Sequence, residues 1–189
     1  MGILRLAHVD VRTPDLELST AYYTEVLGLQ LAERGEDTVY LKCWDEEDHH
    51  SIRLRYDPRT GLDLFSFRVE REDDLAELEN AITKYGCQVQ RVSRGEAVGQ
   101  GESIRFGIPS GQTMELVYEL DKTGGLLGKL NPAPVPPPGM PGIAPPRLDH
   151  MLINAEEVGE AAAFFRSVLG FRMTEQVLDA NGHQLGVWL

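Results

Sequence analysis

The chain has 189 residues, 42% hydrophobic and 25% charged, a composition that excludes disordered, collagen-like and fibrous classes. A formal net charge of −12 with no basic cluster excludes a nucleic-acid partner held by electrostatics. Apolar runs are too short to span a bilayer, and the N-terminus lacks a secretory pattern, so a cytoplasmic protein with no membrane partner is expected.

The first element is a strand, because Leu4, Leu6, His8 and Asp10 alternate with Arg5, Ala7, Val9 and Val11. A helix follows. Thr13 is its expected cap and Pro14 fits its first turn. Leu16, Tyr23 and Val26 share a face, and Gly28 suits a left-handed helix end. Strands are expected over 29–34, 37–44 and 50–56. Cys43 and Cys87, without CxxC spacing, read as reduced, packed thiols. His49 and His50 follow the acidic run Asp45-Glu46-Glu47-Asp48 and read as solvated surface. Arg53 and Arg55 alternate with Ile52 and Leu54, which places the arginines toward solvent and the aliphatics toward a core.

A second, divergent unit begins with a strand over 62–69. Its helix spans 72–85, with Leu75, Leu78, Ile82 and Tyr85 on one face and Gly86 closing it. Strands near 87–92, 103–108 and 112–119 complete it. Residues 131–146 then hold eight of the eleven prolines, so this stretch is neither helix nor central strand and reads as an extended connector.

After the connector the opening unit returns. Arg5-Leu6-Ala7-His8 recurs as Arg147-Leu148-Asp149-His150, an offset of 142 residues. The same offset maps Ala21-Tyr22-Tyr23 onto Ala163-Phe164-Phe165, and Val26-Leu27-Gly28-Leu29 onto Val168-Leu169-Gly170-Phe171. Repeats define units. The third unit therefore opens with a strand carrying His150, on which Asp149 points to the opposite side. Its helix is capped by Asn154, packs through Val158, Ala161, Phe165 and Val168, and ends at Gly170. Residues 177–182 read as a strand running into an Asn-Gly turn, with His183 exposed beyond it. The order is βαβββ, βαβββ, connector, then βαβ, with Trp188 and Leu189 lying mid-strand. A longer natural polypeptide is expected from that. Fold class is α+β: tandem βαβββ modules pair into curved mixed sheets with helices outside, because one such unit is too small to bury a good core.

Paired βαβββ units with Ala-x-x-Tyr/Phe-x-x-x-Leu-Gly-Leu/Phe at each helix end resemble the vicinal oxygen chelate superfamily. Tyr40-Leu41-Lys42-Cys43-Trp44, Lys84-Tyr85-Gly86-Cys87, the Ile104-Arg105-Phe106 strand, and Pro109-Ser110-Gly111 through Glu115-Leu116 narrow it. With Arg147 to His150 and Glu175 to Asp179, they resemble the N-terminal part of extradiol ring-cleaving dioxygenases of the catechol 2,3-dioxygenase type. The resemblance covers nearly the whole chain. It implies an N-terminal two-module domain without metal over 1–130, a proline-rich linker over 131–146, and the start of a catalytic C-terminal domain over 147–189. It also implies Fe(II) held by two histidines and one glutamate, of which His150 matches the first. The other ligands and the acid–base residues are expected beyond residue 189.

A 2-His-1-carboxylate face leaves neighbouring positions open for a diol and O2. The implied reaction converts catechol or a substituted catechol to a 2-hydroxymuconic semialdehyde, in aromatic compound degradation. The implied partners are a small aromatic diol, O2 and copies of the chain in a homotetramer. His8 and Glu115 stand at the repeat-equivalent ligand places of the first pair, but the remaining place offers Leu64, so they read as remnants. Two alternatives remain: a metal-free binding protein of the superfamily, and a glyoxalase-like enzyme built on His8 and Glu115.

Overall fold

The computed structural model describes residues 2–124 and 135–189. In chain order the first module contains β1 (Ile3–Thr13), α1 (Leu16–Ala21) running into a π-helical turn (Tyr22–Val26), β2 (Gln30–Arg34), β3 (Thr38–Lys42) and β4 (Ile52–Tyr56). The second contains β5 (Gly61–Val69), α2 (Asp73–Tyr85), β6 (Val89–Val92), β7 (Ser103–Gly107) and β8 (Thr113–Val117). Beyond the connector come α3 (Val158–Ser167), β9 (Glu175–Leu178) and β10 (Gln184–Trp188). Both complete modules have the expected βαβββ order.

Eight strands form one curved mixed sheet in the order β2-β3-β4-β1-β5-β8-β7-β6. Each module places its first and last strands side by side and parallel, β1 with β4 and β5 with β8. The modules join where β1 runs antiparallel to β5, with His8 opposite Ser66 and Asp10 opposite Leu64. The simple alternation expected of β1 fails at Ala7. Leu6 pairs with Phe67 and His8 with Ser66, so Ala7 is an extra residue that shifts the register. Leu6, Ala7 and His8 are consequently all buried in a strand covered on both faces.

The two faces of the sheet differ in chemistry. On the helix-covered face, Phe65, Val69, Ile104, Phe106, Met114 and Leu116 pack with Leu78 and Ile82 of α2. A smaller cluster of Leu29, Val39, Leu41, Cys43 and Leu54 takes Leu16, Tyr23 and Leu27 from the first helix. The helix was expected to present Val26 there, but Val26 is 49% exposed. A π turn advances fewer degrees per residue than an α turn, which rotates Leu27 inward in its place. The cap is Asp15 rather than Thr13: the Leu18 N–H donates to Asp15 Oδ1 at 2.9 Å. Gly28 and Gly170 end their helices in the same left-handed conformation, φ +80° and +77°. The repeat-related bonds match too, Leu29 N–H to Tyr23 O at 2.9 Å and Phe171 N–H to Phe165 O at 3.0 Å.

The third unit departs from expectation in two places. Asn154 is not a cap; its carbonyl accepts from Gln112 Nε2, and α3 starts without a side-chain cap bond. Residues 147–155 form no strand. Strands exist through ladder bonds to neighbours, and β9 and β10 pair with each other rather than with this segment. The unit is nonetheless held. Phe164 is fully buried on the second module's core, edge-on to Tyr85 at 4.9 Å. Leu148, Met151 and Ile153 pack against the same cluster.

Of the connector, residues 131–134 lie outside the described residues; 135–146 form no helix or strand. Ile143 N–H donates to Val26 O at 3.0 Å and Ala144 N–H to Leu27 O at 2.9 Å, while the buried Trp44 donates through Nε1 to Ala144 O at 2.9 Å. Contact is so close that a Cβ on Gly142 would lie 2.2 Å from Val26 O, and one on Gly28 the same distance from Pro141 O. Gly142→Ala should therefore undock this segment and cost at least ~1 kcal/mol, since φ is +61° there as well. Urea denaturation measures the cost, and a red shift of Trp44 emission reports the undocking.

Candidate metal centres and the inner face of the sheet

The opposite face of the sheet is polar. Alternation from the apolar positions puts His8 and Asp10 of β1, Ser66 of β5, Ser103 and Arg105 of β7 and Glu115 of β8 on it. Glu115 is 0% exposed. Its Oε1 accepts from Ser66 Oγ at 2.9 Å and Gln100 Nε2 at 3.1 Å. Its Oε2 accepts from Ser103 Oγ at 3.1 Å and Arg105 Nε at 2.6 Å. Burial raises the Glu115 carboxyl, but His8, Arg105 and Gln100 together outweigh it and hold it below the usual range. His8 Nε2 stands 3.5 Å from Glu115 Oε1 and 3.6 Å from Asp10 Oδ1.

The residue completing the His8–Glu115 pair on β5 is Ser66, not Leu64. Ser66 lies opposite His8 and bonds Glu115, whereas Leu64 lies opposite Asp10. A hydroxyl stands where a third ligand would be, and four donors already fill Glu115. The pair alone offers no open coordination position.

Two expectations for the neighbouring segment are corrected. His50 is buried, 6% exposed, with its ring centroid 4.8 Å from His8 and 5.0 Å from Tyr40. Burial pushes its imidazole well below the ordinary value, and His8, His49 and Arg53 push it further, so His50 is neutral near pH 7. Arg53 faces inward, donating through Nη1 to Asp10 Oδ2 at 2.7 Å. The acidic turn is a docking hub, with Asp45 and Asp48 buried. Asp48 pairs with Arg5 and Lys122. Asp45 pairs with Arg147 at 2.9 Å, and Glu46 accepts from Cys43 N–H at 2.9 Å and Leu148 N–H at 2.8 Å. The burial of His50 follows from this docking, which no local pattern announces. Asp10 did carry a signal, being two residues from His8 on the same strand face.

His150 lies in the irregular segment, its side chain 88% exposed, with Nδ1 3.0 Å from Asp149 Oδ2. Without strand geometry, Asp149 turns toward its neighbour and not away. His183 is exposed, as expected. Cys43 and Cys87 are free, and burial pushes the Cys43 thiol up to about 12, so it is packed and unreactive. Two surface grooves, one along α2, β6 and β7 and one beside Pro109–Gly111 and Asn154–Glu160, are not lined by His8, Asp10, His50 or Glu115. No helix among the described residues is long and apolar enough to cross a membrane.

This architecture has known counterparts. The family described as catechol 2,3-dioxygenase-like N-terminal domain matches residues 62–120. A metapyrocatechase of Pseudomonas sp. (strain CF600) is 37% identical over 100% of this chain and 62% of its own length. A 2,3-dioxygenase, LapB, from Pseudomonas sp. KL28 superposes with a TM-score of 0.90 at 37% identity, covering 100% of this chain and 66% of that one. The chain belongs to the extradiol dioxygenases of the catechol 2,3-dioxygenase type. A manganese-dependent 2,3-dihydroxybiphenyl 1,2-dioxygenase of Geobacillus genomosp. 3 is 31% identical over 99% of this chain and 60% of its own length. The chain thus spans about three fifths of the length of these two curated relatives. Within this family's frame the polar inner face belongs to the first two modules, and His150 to the third.

Glu115→Ala should cost about 3–5 kcal/mol in urea denaturation at pH 7, because Arg105 is left facing a buried void. A carboxylate held below its ordinary value contributes stability that is present above 4.5 and lost as pH falls below it. The Glu115→Gln variant should therefore show a flatter loss of stability below pH 4.5, by up to ~1.4 kcal/mol per pH unit.

Proposed function

We propose that this chain is the N-terminal part of a metal-dependent enzyme that cleaves catechol or a substituted catechol with O2 beside the hydroxyls. The expected product is a 2-hydroxymuconic semialdehyde. The supporting observation is the match to a metapyrocatechase over the full chain, read together with the return of Arg5-Leu6-Ala7-His8 as Arg147-Leu148-Asp149-His150. In this reading residues 1–130 form the N-terminal two-module domain, 131–146 the linker, and 147–189 the start of the catalytic domain.

His150 is the metal ligand within this chain. Its environment suits that role: Asp149 accepts from Nδ1, which leaves Nε2 with its lone pair outward. A carboxylate on one ring nitrogen fixes the tautomer of the other in ligating histidines. One histidine cannot hold a divalent ion, and the remaining donors come from the part of the relatives' length that this chain does not span. Fe(II) is the metal implied by the sequence resemblance; a manganese-dependent relative makes Mn(II) the competitor. When bound, such a metal holds the diol and O2 at one centre, so the reacting atoms need no chance encounter. The chain's own contribution is placement. Arg147 on Asp45, Leu148 N–H on Glu46 and the Phe164 anchor fix both ends of the segment that carries His150.

The purified 189-residue chain, loaded anaerobically with Fe(II), should form no yellow ring-fission product from catechol. The product of the gene's whole reading frame should form it, with Fe(II) or Mn(II) setting the rate. His150→Ala in that product should remove bound metal and activity together; metal content unchanged by this substitution would rule out the ligand role.

A further inference from the structure

Within the first two modules, one cluster is not used by the proposed reaction. His8, Asp10 and His50 are all buried, and each offers one ligand atom within 4.8 Å of the others. Two polar atoms in it are left without hydrogen bonds, His8 Nδ1 and Asp10 Oδ1. Buried polar atoms without partners cost about 1–3 kcal/mol each, so such atoms in a well-packed interior invite a partner. Asp10 Oδ1 stays open while Oδ2 is held by Arg53 at 2.7 Å, which aims the free oxygen toward His8 Nε2, 3.6 Å away. Glu115, by contrast, is filled by four donors.

We propose that His8, Asp10 and His50 form a second, structural site for a divalent transition ion, of which Zn2+ is the representative. Two imidazoles and one carboxylate favour Zn2+, Co2+ or Ni2+ over Ca2+ and Mg2+, which prefer all-oxygen shells. The His49–His50 contact supports neutral rings: their Nδ1 atoms lie 3.0 Å apart, so one of them carries no proton. A net charge of −12 raises the local concentration of cations around the chain. The ion would clip β1 to the turn between β3 and β4, fastening the parallel strand pair at the middle of the sheet. All three side chains are enclosed, so the site is a clip and not a second reaction centre. This departs from the expectation that the first two modules are free of metal, and it stands independently of His150.

The test uses the 189-residue chain, stripped with chelator, mixed with excess Zn2+ and desalted. About one zinc per chain should remain, and the thermal midpoint should rise with zinc but not with Ca2+, as expected for a ligand that binds the folded state. Asp10→Asn and His50→Gln should each weaken zinc binding at least ~10-fold, whereas His150→Ala should leave it unchanged. Should either variant misfold by circular dichroism, NMR of the wild-type chain decides, since zinc should shift the ring signals of His8 and His50. The proposal is overturned if no zinc is retained and millimolar zinc leaves the midpoint unmoved. It is equally overturned if zinc binds with the His8 and His50 signals unchanged, or if His150→Ala alone abolishes binding. None of these results would touch the dioxygenase reading, which depends on metal at His150.

Discussion

A carboxylate removed from water needs several kcal/mol of compensation, and Glu115 is removed completely. Everything around it on the inner face follows from that requirement. Ser66 comes from β5, Ser103 and Arg105 from β7, and Gln100 from the loop between β6 and β7. His8 comes from the other module, across the β1–β5 junction. One side chain thereby ties together four elements of the second module and the first strand of the first. The opposite face of the junction is apolar and would tolerate sliding; besides the backbone ladder, Arg12 on Asp63 at 3.0 Å is a further polar tie across it. Polar satisfaction at Glu115 thus supplies the specificity that hydrophobic packing on the helix side does not.

A second constraint concerns how the third unit attaches. Arg5 and Arg147 occupy the same repeat position, and both reach the acidic turn, Arg5 at Asp48 and Arg147 at Asp45. The leucine after each arginine packs on the same core. The repeat is therefore read twice by one receptor, a turn that buries its carboxylates because cations arrive from distant parts of the chain. Surface ion pairs contribute little, but here burial of Asp45 and Asp48 makes the pairing obligatory. Histidine at the fourth repeat position meets opposite fates. His8 is enclosed between β4 and β5, while His150 has no ladder neighbour and lies open.

Much of this was legible in the sequence, and what was missed has a common cause. The constant offset of 142 residues exposed the modules, and the helix-ending glycines Gly28, Gly86 and Gly170 all take positive φ as expected. Errors fall where long-range docking overrides local pattern. His50 follows an acidic run, and strand parity with Ile52 and Leu54 would turn it to the helix side. Irregular backbone before Ile52 breaks that parity and turns it to His8. Arg53 looked like a solvent charge because alternation distinguishes two faces without saying that both are covered. Leu64 was misassigned for a related reason: two register shifts in the β1–β5 ladder, between Ile3 and Arg5 and between Leu6 and His8, leave Ser66 and not Leu64 opposite His8. A strand expected at 147–155 did not form because a strand is a property of two segments, and the sequence of one cannot supply the other.

The inner face of the first two modules and the segment around His150 are versions of one design at different stages of commitment. In the first, β1 and its neighbours are all present and the ligand set is filled: Ser66 and Gln100 occupy Glu115, and Arg53 occupies half of Asp10. What stays open is His8 Nδ1 and Asp10 Oδ1, in a cluster shared with His50, a residue from a turn and not from a repeat-related strand. At His150 the opposite holds. The histidine stands beside a carboxylate, Asp149, but residues 147–155 form no strand and leave it exposed. Enclosure, more than the identity of the side chain, separates the two.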